Sequence, residues 1–130
     1  MAAIIDLILA GLEAEITELI TDKVDLGTTN PEGKLLIRSG AGTLLVEIVL
    51  QNPAFAAGTG SARDLQGTPL SGTVVAAGTA ALAQVVDRDE TVVVEGPATV
   101  IGGGGFVELD KVEMEIADIV TVQSLSVEYP

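Results

Sequence analysis

Carboxylates carry most of the chemistry this chain of 130 residues could offer. Glu108, Asp110, Glu113 and Glu115 are close in sequence, and paired carboxylates are the equipment of glycoside hydrolysis. Glu113 and Glu115 alternate with Val112, Met114 and Ile116. On a strand the two glutamates therefore share one face, about 7 Å apart. Sugar sites usually add aromatic platforms, and the only aromatic residues are Phe55, Phe106 and Tyr129. A charged solvent face that discourages edge-to-edge aggregation accounts for the same residues without a site. In "DRDE", Asp87, Asp89 and Glu90 form a second carboxylate group, of the kind hard cations use. The EF-hand spacing is absent and Arg88 offsets part of the charge, so a solvated hairpin turn is expected. The third candidate is the run Gly102 to Gly105 in "VIGGGGFVELD". A phosphate cradle needs Gly-rich sequence leading into a helix, with Lys and Ser/Thr at set places. Here an alternating strand follows, so the glycines are expected to form a bend between strands.

The absent side chains narrow the chemistry further. Without Cys there is no disulfide, thiolate ligand or thiol nucleophile. Without His there is no imidazole base and no Ser-His-Asp triad. The expectation is a protein that is not an enzyme, with no cofactor and no metal. Nineteen acidic residues against six basic ones leave a formal charge of -13. Lys23, Lys34, Arg38, Arg63, Arg88 and Lys111 are dispersed, so neither nucleic acid nor an anionic membrane is an expected partner. Asp6, Glu13, Glu15 and Glu18 interrupt the apolar N-terminal run, which also lacks a positive n-region. This predicts a soluble chain without a secretory signal.

The elements that would position these residues follow from periodicity. Ile5, Leu9, Leu12, Ile16, Leu19 and Ile20 recur at helical spacing, and Ile4, Leu7 and Ile8 widen the apolar face. An amphipathic helix over residues 1–24 is expected, packed on the rest of a single compact domain. Its wide stripe leaves two readings: the helix covers only its own sheet, or its first turns also meet another subunit. "DLGTTNPEG" ends the helix. Residues 25–130 then read as roughly eight short β-branched strands with turn signals between them. This predicts a mainly β fold, an antiparallel β-sandwich of jelly-roll type. Strand breaks are expected at "EGP", at the glycine run and at "IAD". The stretch Gln51 to Thr73 is expected to be a surface arm, or to hide one short strand around Arg63 to Leu65.

Taken in order, "NPEGKLLIRSG", "LLVEIVLQNPAF", "NPAFAAGTGSARDLQGTPLS", "LQGTPLSGTVVAAGTA", "VVDRDETVVVEG", the glycine run and "ADIVTVQSLSVEYP" resemble small structural proteins of tailed phages over most of the chain. None of these segments is a catalytic motif, so no site residue carries over. The resemblance implies a head decoration, or cement, protein on the outer capsid surface of a virion, made in the host cytoplasm. It implies the major capsid protein as partner and self-association as a homotrimer. Ile4, Ile5, Ile8, Leu9 and Phe55 are the expected interface residues. A tail, neck or fibre-associated role, or a non-catalytic binding module of the sandwich type, stays open.

Overall fold

The computed structural model describes residue 12, residues 15–56 and residues 62–128. Residues 15–23 are helical. Nine strands follow: β1 (Lys34–Ser39), β2 (Leu44–Val49), β3 (Ala62–Asp64), β4 (Leu70–Thr73), β5 (Gly78–Val86), β6 (Val92–Val100), β7 (Val107–Leu109), β8 (Glu113–Met114) and β9 (Ile119–Glu128). Val, Ile and Leu dominate the longer strands because branched side chains suit a pleated, half-buried surface. With few aromatics available, the core is aliphatic: Leu35, Ile37, Leu45, Ile48, Val85, Val107, Leu109 and Val120 are fully buried.

The strand order is β2-β1-β5-β6-β7-β9-β3, with β4 also on β9 and β8 on β5. The sheet curls strongly. Val122 of β9 pairs with Leu109 of β7 and with Leu70 of β4, so β7 and β4 occupy opposite edges of β9. Just past β4, Val74 bridges Val46 of β2, and the Val75 N–H donates to the Leu45 carbonyl at 2.7 Å. The far edge thereby meets the near edge. Gly72 makes the approach possible, since a Cβ there would lie 2.5 Å from the Glu47 carbonyl oxygen.

The sheet is mixed, which corrects the antiparallel expectation. β6 and β7 run parallel, with Ala98 opposite Val107 and Val100 opposite Leu109. Parallel neighbours normally need a connection of a dozen or more residues. Here residues 101–106 suffice, because the glycine run doubles back twice in a very short span. Gly102 and Gly104 adopt φ +87° and +77°, a region glycine enters without steric cost. Gly103 and Gly105 face Thr99 so closely that a Cβ would lie 2.7 Å and 2.8 Å from its side chain. The run is a bend between strands, as expected, but a double one rather than a hairpin reversal.

Other boundaries differ in detail. "EGP" is not a turn: Gly96 and Pro97 lie inside β6. Pro97 is the last residue of β6 paired to β5, and the pairing to β7 begins at Ala98. A missing N–H costs least at such a changeover. The short strand expected within Gln51 to Thr73 is β3, which pairs with β9.

Candidate interaction surfaces

The helix reaches the sheet through Thr17, Ile20, Thr21 and Val24, so of the described apolar stripe only Ile20 packs on the core. Thr17 and Thr21 are buried and Val24 belongs to the core. The Thr21 hydroxyl donates to the Thr17 carbonyl at 3.0 Å, so its polar atom is satisfied within the helix. Leu12, Ile16 and Leu19 point away and are exposed, Leu19 to 62%. At 100° per residue the described helix has three faces roughly a third of a turn apart. One buries the threonines, one presents Leu12, Ile16, Leu19 and Lys23, and one carries the acidic Glu15, Glu18 and Asp22. The reading in which the stripe covers only the chain's own sheet is corrected for these residues. Ile4, Ile5, Ile8 and Leu9 lie outside the described residues. Phe55 is 6% exposed and belongs to the core cluster, so most of it is taken up by the chain's own packing.

The outward stripe borders an open groove of about 460 Å³. Ile16, Leu19, Ile20, Lys23 and Leu26 form one wall, and Asp87, Thr91, Val92 and Val93 the other. The "DRDE" turn holds this wall in place. Asp89 Oδ1 accepts the backbone N–H groups of Thr28 and Thr29, each at 2.9 Å. These bonds hold its carboxyl below the ordinary range. Arg88 Nε donates to the Asn30 carbonyl at 2.6 Å, and Asp87 Oδ1 accepts from the N–H groups of Asp89 and Thr91. A Cβ on Gly27 would strike Arg88 and Asp89, so glycine lets the helix exit dock against the hairpin. Asp25 contributes at the same junction by accepting from the Ala54 N–H. Burial pushes its carboxyl up, and that hydrogen bond partly offsets the rise. Among the described residues no group of His, Cys, Asp or Glu is arranged to hold a metal ion.

The second surface lies at the other end of β5. There Gly78 and Thr79 pair with Met114 and Glu113 of β8. Val74 exchanges backbone hydrogen bonds with residues 117 and 118, and Thr73 pairs with Ile119. This register places Val75 and Ile119 as diagonal neighbours on one outer face. Val75 is 61% exposed, Ile116 69% and Ile119 65%. Ile116 therefore does not share the buried face of Met114, because the chain turns there and Ala117 takes φ +76°. Glu113, Glu115 and Asp118 line a shallow depression beside this patch.

The carboxylates that are candidates for catalysis by residue type alone are spread over separate backbone contacts. Asp110 accepts from the Thr121 N–H, and Glu108 from the Gly104 N–H. Asp118 accepts from the Glu115 N–H and pairs with Lys111 at 3.0 Å, and both contacts hold its carboxyl low. Glu113 and Glu115 are exposed. The basic residues are equally scattered. Lys34 faces Glu47 and Glu90, Arg38 bonds Gln84, and Arg63 is buried and lines a depression with Glu18, Thr21 and Asp22. Among the described residues no helix is long and apolar enough to cross a membrane.

No protein-family model matches the chain, and neither the curated proteins nor the solved structures contain a match to it.

Proposed function

We propose that this chain is a non-catalytic structural protein of a virion, a decoration protein that binds the outer surface of the phage head and stabilises it. The observation that carries the reading is a pair of exposed apolar surfaces at opposite ends of β5, on an acidic body that also exposes Val49, Val100 and Ile101 elsewhere. Nine residues of strand separate them by about 30 Å. Exposed apolar patches of this kind usually mark protein contacts. One end, at Val75, Ile116 and Ile119, docks on the major capsid protein. The other, along the helix, serves contact between copies, in a homotrimer. The two-layered jelly-roll form belongs to the same proposal and is supported by the crossing of β4 over β2 at Gly72. Many copies on one lattice multiply a modest affinity per site, and binding only the assembled head shifts its stability by mass action.

The test is a comparison of heads assembled with and without the protein. Heads lacking it should have normal size but rupture at lower temperature or under milder osmotic shock. Adding Ile119→Asp protein should fail to restore them, because the substitution places a charge in the docking patch. A density map should show the protein on the outer surface at three-fold positions. Bare heads of equal robustness, or the protein located in the tail or neck, would overturn the proposal.

A further inference from the structure

We infer that copies of this chain join through a parallel coiled-coil seam formed by Leu12, Ile16 and Leu19, so that the occupant of the outward helix face is the same face of another copy. The inference deepens the self-contact named above and rests on it. Three observations support it.

The first is the period. In the sequence the apolar residues Ile5, Leu9, Leu12, Ile16 and Leu19 follow one another at steps of four, three, four and three. That is the a/d spacing of a coiled-coil seam, carried over two heptads within a wider apolar stripe. The second is the division of labour around the helix. The chain's own sheet takes Thr17, Ile20, Thr21 and Val24, which fall at other heptad positions. The apolar a/d residues among those described, Leu12, Ile16 and Leu19, are left exposed. A helix designed only to cover its sheet would show the reverse. The third is charge. Counting Leu12 and Leu19 as d places Glu15 and Asp22 at g and Ile20 at e. In a parallel pair g of one helix falls opposite the following e of the other, so Glu15 meets Ile20 and not another carboxylate. In an antiparallel pair g faces g, and Glu15 would meet Asp22 of the second copy. On a body of charge -13 that contact is disfavoured. Lys23 occupies the next a position, where in a parallel pair it faces Lys23 of the second copy and fixes register at a cost in stability.

The seam can be tested with the purified full-length chain, independently of any head. The chain has no cysteine, so one introduced thiol reports one position. Leu12→Cys and Leu19→Cys should each cross-link to their own kind under mild oxidation, whereas Glu18→Cys on the acidic face should not. Sedimentation should show a concentration-dependent assembly. Leu19→Asp should weaken it by roughly 100-fold or more, since it buries a charge in an apolar seam. Its fold should be kept, because Leu19 is already 62% exposed in the single chain. Lys23→Leu should tighten the assembly. Disulfides only between position 12 of one copy and position 19 of another, in a mixture of the two variants, would overturn the parallel arrangement. A monomer at every concentration, or an assembly indifferent to both Leu19→Asp and Lys23→Leu, would overturn the seam. In either case the docking of Val75, Ile116 and Ile119 on a head would stand or fall by its own assay.

Discussion

Replacing Gly72 by alanine tests the closure of the sheet at its narrowest point. The backbone of Gly72 has no positive φ, so the substitution adds volume without adding torsional strain. The new Cβ would lie 2.5 Å from the Glu47 carbonyl oxygen, 2.8 Å from Ile48 Cγ1 and 2.9 Å from Val46 Cγ2. The nearest of these is backbone in β2 and cannot rotate away. Forcing such a contact apart typically costs about 1–3 kcal/mol. Against this, alanine stiffens the unfolded chain and recovers about 0.4–1 kcal/mol. The net expectation is a loss of about 1–2 kcal/mol. For a chain of this size that corresponds to a fall in Tm of roughly 3–10 °C. Urea unfolding followed by circular dichroism would read it as a lower midpoint with unchanged slope. Gly40→Ala is the control: its Cβ would meet only Ala81, at 4.0 Å, so it should be neutral or slightly stabilising. If Gly72→Ala proved as stable as Gly40→Ala, β4 would not cross β2 at this distance and the account of closure would be wrong.

Two further outcomes concern the turns. Gly103→Ala and Gly104→Ala should both cost about 1 kcal/mol or more, the first by its 2.7 Å approach to Thr99 and the second by its φ of +77°; thermal unfolding that left both at wild-type stability would refute the double bend. Asp89 binds its proton more weakly folded than unfolded, so its contribution to stability is present above the ordinary value of 3.8 and is lost as pH falls through the lower, folded-state value. Asp89→Asn should therefore be less stable than the parent near neutral pH, and the difference should vanish in strong acid. The comparison must be between the two proteins, because neutralising the many other carboxylates also relieves their mutual repulsion. A difference that persisted unchanged to pH 2 would show that the carboxylate charge is not what holds Thr28 and Thr29.

Much of the fold was legible in the sequence, and for physical reasons. "KLLIR", "TLLVEIVL", "AALAQVV" and "IVTVQSLSVEY" are β-branched runs bounded by turn residues, and they are β1, β2, β5 and β9. Local preference and burial point the same way in these segments. The absence of Cys and His, and the dispersal of the basic residues, are likewise properties of composition alone. The helix was legible as an element from the spacing of its apolar residues. Which face it turns inward was not, because that depends on which residues the sheet meets. The hydroxyl of Thr21 finds its partner inside the helix, so a threonine face can be buried and the leucine face left outside.

Tertiary structure alone decided the remaining features, since each depends on partners distant in sequence. Asp87, Asp89 and Glu90 read as a solvated hairpin turn and form one between β5 and β6, but the sequence does not show that Asp89 is held by backbone groups some sixty residues earlier. Gly96 and Pro97 read as a break, yet β6 passes through them because its neighbour changes there from β5 to β7. The four glycines announce a bend but not its direction. Whether a strand returns antiparallel or parallel is set by which edge is free to receive it, and here β9 holds β7 beside β6. Residue types determine what a segment can do locally. The pairing of distant edges determines which of those possibilities lowers the free energy of the whole chain.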